Sequence, residues 1–124
     1  ADYVSLHCPL TAETKDLIDA KAFDRMKSSA FLINCARGGI VNEQALADAL
    51  IHNKIAGAAT DVLTVEPPKQ GNVLIDALNN DEIQNLIITP HSAWGSRDAR
   101  QRIVDQMLEN LKAFQQGTPI RQVN

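Results

Sequence analysis

Ile33-Asn34-Cys35-Ala36-Arg37-Gly38-Gly39-Ile40-Val41-Asn42 ends an apolar run on an arginine, turns on two glycines and opens a helix. The run Ala30-Phe31-Leu32-Ile33 predicts a strand buried on both faces, and the glycine pair supplies the loose backbone needed to leave a sheet sharply. Arg37 then stands at the carboxyl end of a parallel strand, the edge at which open α/β sheets hold their ligands. Its guanidinium offers a fixed fork of donors to a carboxylate or phosphate. A lone arginine in a turn is more often a surface cap, so Arg37 needs company before it means anything.

Upstream, residues 3–7 predict a strand that Pro9 stops, because proline has no amide to give to a ladder. Asp19 is a good N-cap for a short helix whose apolar stripe is Ala22, Phe23 and Met26. Downstream, Asn42 caps a helix with Glu43 in its first turn, where negative charge suits the dipole, and Leu46, Ala49 and Leu50 on its inner face. His52-Asn53-Lys54 end it. Residues 55–62 predict a strand rich in small residues, and Pro67-Pro68 keep the segment after it extended. Residues 69–85 carry a weak signal, with at most one helical turn over 73–78. Residues 86–89 predict a fourth strand, stopped by Pro90-His91. Ser96 caps a helix of about 20 residues, or about 30 Å. Its apolar stripe is Ile103, Val104, Met107, Leu108, Leu111 and Phe114, and Gly117 with Pro119 closes it.

Four strands alternating with helices predict an α/β fold, the C-terminal half of a Rossmann-type parallel sheet with flanking helices and a long C-terminal helix. Arg37, Asp61 and His91 each end or follow a successive strand, and Glu66 sits in the loop after the third. An isolated histidine or glutamate in a loop is usually surface decoration. Four polar residues delivered to one sheet edge by the same construction point to a site.

The 124 residues, 44% hydrophobic, are one domain's worth of chain. A net charge of −3, from 12 basic and 15 acidic residues, provides no basic stripe for nucleic acid and no polybasic segment for a membrane. Cys8 and Cys35 lack metal-ligand spacing and read as reduced thiols of a cytoplasmic protein. The chain opens Ala1-Asp2-Tyr3 without a methionine and enters a strand at once, as a piece of a longer protein would.

Four segments together resemble the NAD-dependent D-isomer-specific 2-hydroxyacid dehydrogenases, in that family's order. They are His7-Cys8-Pro9-Leu10-Thr11, Asn34-Cys35-Ala36-Arg37-Gly38-Gly39, Asp61-Val62-Leu63-Thr64-Val65-Glu66-Pro67 and Thr89-Pro90-His91-Ser92-Ala93-Trp94-Gly95. Ser92-Ala93-Trp94-Gly95-Ser96 with Asn42-Glu43-Gln44-Ala45-Leu46 is similar to the glycerate dehydrogenase (hydroxypyruvate reductase) subgroup. The resemblance implies hydride transfer between NAD or NADP and a small 2-hydroxy or 2-keto acid, in a homodimer. It implies that Arg37 holds the substrate carboxylate, that His91 is the general acid/base and that Glu66 orients it. It also implies cofactor contacts from Cys35, Ala36, Arg37, Asp61, His91, Ser92, Ala93 and Trp94.

The chain departs from the family pattern in having no G-x-G-x-x-G and no substrate domain. Residues 1–124 are therefore expected to be the C-terminal half of the cofactor domain, inactive by itself. Two other readings stay open at this stage. One is a transcriptional co-repressor derived from these dehydrogenases, which Trp94 also fits. The other is a non-catalytic assembly module.

Overall fold

Short apolar runs separated by helices leave the chain one economical path, in which each strand returns parallel to the last and each crossover lies over the same face. In the computed structural model, which describes residues 1–123, the strands are β1 (Tyr3–Leu6), β2 (Phe31–Asn34), β3 (Gly57–Thr60) and β4 (Leu86–Ile88). All pair in parallel, in the order β1-β2-β3-β4. Leu6 is level with Asn34, Asn34 with Thr60 and Thr60 with Ile88, so the carboxyl ends of the four strands form one edge.

The connecting helices are α1 (Ala20–Phe23), α2 (Glu43–Ile51) and α3 (Val73–Asn79). Asp19 and Asn42 cap the first two as expected, their side chains accepting from the Ala22 and Ala45 amides at 2.9 Å. The third corrects the sequence expectation, because residues 69–85 hold a seven-residue helix and not a single turn. Asn72 caps it by accepting from the amides of Leu74 and Ile75, and Leu74 and Ala77 are buried. Its packing on α2 is a tertiary contact, which local periodicity does not display.

Leu6, Leu32, Ala58 and Leu86 from the strands meet Phe23, Leu46, Leu50 and Leu74 from the helices in one core. The largest fully buried side chains are Phe23, Leu32, Ile40, Ile55 and Leu74, each stabilising by about 1.5–3 kcal/mol. The expectation that β2 is buried on both faces fails. Leu32 is buried but Phe31 is exposed and stacks on Tyr3 with ring centroids 5.7 Å apart. Right-handed crossovers in one direction put α1–α3 on the same side, which leaves Tyr3, Phe31 and Ile87 uncovered. β3 is also shorter than expected, since the Thr60 hydroxyl donates to the Val62 carbonyl at 2.7 Å and curls the chain off the ladder.

The chain divides into two compact units, Ala1–His91 and one beginning at Ser92. The second is dominated by α4 (Arg97–Gln115), capped by Ser96, which accepts from the Ala99 amide at 3.2 Å. Gly117, at φ +73°, closes it: its amide bonds the Phe114 carbonyl, and that of Thr118 bonds Ala113. α4 buries none of its residues; Ile103 through Phe114 of its apolar stripe are exposed.

Candidate active site

The arginine turn is built by Asn34, a polar residue buried at the end of β2. Its Nδ2 donates to the Arg37 carbonyl at 3.0 Å and its Oδ1 accepts from the Ala36 amide at 3.1 Å, which closes the chain around Cys35 and Ala36. The Arg37 guanidinium donates to the Ala36 carbonyl at 2.8 Å and is exposed. Gly38 follows because nothing larger fits. A Cβ there would overlap the Leu63 carbonyl and crowd the Thr64 amide, so the arginine turn lies backbone to backbone on the loop after β3.

That loop begins with Asp61, 4% exposed, whose Oδ1 accepts from the Thr89 hydroxyl at 2.5 Å and so ties the ends of β3 and β4. It then brings Glu66 to His91. Glu66 Oε1 accepts from the Leu63 amide at 2.6 Å, and Oε2 lies 2.5 Å from His91 Nδ1. An ionised carboxylate can only accept, so in this pair Nδ1 carries the proton. Both hydrogen bonds favour the charged carboxylate. The His91 bond first, and the Leu63 amide second, hold Glu66 below its ordinary value of 4.5, against smaller opposing effects from burial and from Asp61.

His91 itself is held in a turn, its amide donating to the Thr89 carbonyl at 3.0 Å across Pro90. Its φ of +52° is in the left-handed region, which costs a non-glycine residue about 1–2 kcal/mol. Strain of this kind gathers at functional sites, where surrounding bonds impose it. Beside the pair is a pocket of about 510 Å³ whose walls include Asp61, Ile75, Ile88 and Pro90.

Of the residues expected from the sequence, Glu66 and His91 are in direct contact, Asp61 ends β3, and Cys35, Ala36 and Arg37 form the turn after β2. Ser92, Ala93 and Trp94 fall in the second unit. There the Gly95 amide donates to the Ser92 carbonyl at 2.8 Å and Trp94 is exposed. Sequence reasoning missed Thr89, and missed Asn34 as the organiser of the turn. The one available signal for Asn34 was a polar residue closing an apolar strand. The pocket is mostly apolar and is lined by the Glu66 carboxylate and the His91 imidazole, which fits the nicotinamide end of a dinucleotide, and the Arg37 guanidinium belongs to the turn after β2 at the same sheet edge. The sequence contains no G-x-G-x-x-G, the motif that forms a turn around a pyrophosphate.

A parallel sheet whose carboxyl edge gathers these groups defines an α/β domain of the Rossmann type. The family model for the D-isomer specific 2-hydroxyacid dehydrogenase, NAD binding domain, matches residues 1–93, and the chain belongs to that family. It is 50% identical over 119 residues to the glycerate dehydrogenase of Methylorubrum extorquens, a match covering 96% of this chain and 37% of that protein. Among solved structures, it superimposes with a TM-score of 0.81 on the NAD-complexed D-isomer specific 2-hydroxyacid dehydrogenase of Lactobacillus delbrueckii ssp. bulgaricus. The two are 38% identical, and the match covers all of this chain and 40% of the other. The enzyme from Xanthobacter autotrophicus Py2, in complex with NADPH and MES, is 34% identical with a TM-score of 0.79 over all of this chain and 48% of its own. The chain thus spans less than half the length of these relatives.

Proposed function

We propose that residues 1–124 are the C-terminal half of the cofactor domain of an NAD- or NADP-dependent D-2-hydroxyacid dehydrogenase, with the pyrophosphate turn and the substrate domain supplied elsewhere in the polypeptide. The observation that carries the reading is the His91–Glu66 pair at the carboxyl edge, one loop away from Arg37. Bound nicotinamide supplies the hydride. As hydride reaches a 2-keto carbon, negative charge builds on the carbonyl oxygen, and His91 delivers a proton to it. With Nδ1 committed to Glu66, Nε2 is the nitrogen that exchanges this proton. The exposed Arg37 guanidinium holds the substrate carboxylate and stabilises the growing oxyanion. In the oxidative direction His91 takes the proton from the 2-hydroxyl.

Asp61, Cys35 and Ala36 are the proposed contacts at the nicotinamide end, joined by Ser92, Ala93 and Trp94. D-Glycerate is the proposed hydroxy acid, supported by the Methylorubrum relative, and hydroxypyruvate is its 2-keto partner. Glyoxylate is the alternative substrate. A cytoplasmic homodimer is proposed as the working form.

The reading is tested by offering hydroxypyruvate, glyoxylate and pyruvate to the complete dehydrogenase with NADH or NADPH. Hydroxypyruvate should give the highest kcat/KM. Consumption of neither cofactor with any 2-keto acid would overturn the assignment and leave the assembly-module reading. Binding of a co-repressor peptide without turnover would favour the regulatory one.

A further inference from the structure

Glu43 does more than sit at the positive end of a helix. Half-buried in the first turn of α2, it has both carboxylate oxygens engaged outside its own helix. Oε1 accepts from the Thr64 amide at 2.7 Å, and Oε2 accepts from Asn72 Nδ2 at 2.8 Å. Thr64 and its neighbour Leu63 present consecutive amides. That of Leu63 goes to Glu66, the partner of His91, and that of Thr64 goes to Glu43. Asn72 is pinned in turn, because its Oδ1 caps α3. Glu43 therefore spans the start of α2, the loop after β3 and the start of α3, at the place where Gly38 lets the arginine turn touch that loop.

We propose that Glu43 is a positioning residue for the Glu66–His91 pair: it clamps the Leu63-Thr64 backbone from which Glu66 is held, and so fixes where the imidazole points. The proposal rests on the dehydrogenase reading given above. Charge-assisted bonds of this kind are about twice as strong as neutral ones, which suits a clamp on an exposed loop. Glu43 acts through geometry, since it bonds the backbone amide next to the one that Glu66 bonds. A glutamine at 43 can keep only one of the two bonds. Its amide nitrogen would face either the Thr64 amide or the Asn72 Nδ2, donor against donor.

The test is a double-mutant cycle in the complete dehydrogenase. Glu43→Ala should lower kcat about tenfold or more, as small misplacements of a reacting group do, while the KM for the nicotinamide cofactor changes by less than about threefold. In a Glu66→Gln background the same substitution should lower kcat by less than about twofold, because the path runs through Glu66. Equal losses in the two backgrounds would overturn the proposal.

Asn72→Asp keeps the cap of α3 while replacing the donor to Glu43 by a second carboxylate. It should reproduce the kcat effect with the helix intact, and an unchanged kcat would count against the clamp. Amide hydrogen exchange gives a readout independent of turnover. Leu63 and Thr64 should exchange at least about tenfold faster in Glu43→Ala, which removes both acceptors, while β2 amides keep their protection. If wild type reduces no 2-keto acid, the functional assignment falls. Unchanged exchange at Leu63 and Thr64 would overturn the clamp itself.

Discussion

A carboxylate that accepts from an amide and an imidazole together holds its charge to lower pH than it would in an open chain. Glu66 is lowered in the folded state, so its stabilising contribution is fully present above the unfolded value of 4.5 and is lost as pH falls through the lower folded value. Wild type should therefore exceed Glu66→Gln in urea midpoint above about pH 5, with the gap closing on acidification below 4.5. A gap independent of pH would show that the pairing is not what lowers Glu66. For Arg37, lysine substitutes a point charge for a planar fork. Arg37→Lys should lower kcat/KM for the keto acid by about 10²-fold in the complete enzyme, with cofactor affinity little changed. Equal losses in both would assign Arg37 to the cofactor or to the fold. Arg37 was legible in the sequence because its turn follows an apolar run, and Glu66 because it sits in the loop after the next strand. The Thr89 bond to Asp61 and the reach of Glu43 to Thr64 span 28 and 21 residues, so only the folded chain displays them.

At the scale of elements, the contact between the arginine turn and the loop after β3 depends on the absence of a side chain at Gly38. Gly38→Ala must push the two backbones apart. It should cost about 1–3 kcal/mol, read as a lower Tm, and should reduce turnover by displacing both Arg37 and Glu66. An alanine variant with wild-type Tm and activity would mean that the two loops are not in register. The parallel order and the caps at Asp19, Asn42 and Ser96 could be read from turn chemistry and hydrophobic period. α3 could not, because Asn72 and the burial of Leu74 on its neighbours support it more than any local pattern does. Strand ends were overestimated for a similar reason. Asp61 and Val62 belong to the edge that carries the chemistry, and the Thr60 hydroxyl takes the chain out of the ladder before them.

For the whole molecule, β1 offers an unpaired ladder edge, and Tyr3 and Ile87 on the uncovered face are 70% and 65% exposed. Exposed apolar surface beside an open strand edge drives association. The 124-residue chain should sediment as a dimer or larger species at micromolar concentration, and Ile87→Lys should shift it toward monomer. A stable wild-type monomer would contradict this. The same chain, without a pyrophosphate turn, should bind NADH only weakly and reduce no hydroxypyruvate. In the complete enzyme the decisive comparison is hydroxypyruvate-dependent consumption of NADH or NADPH by wild type and by His91→Gln, with cofactor binding followed by fluorescence. Loss of the proton donor should lower kcat by at least about 10²-fold while cofactor binding is preserved. Wild-type turnover in His91→Gln would contradict the assignment of the His91–Glu66 pair as the catalytic centre.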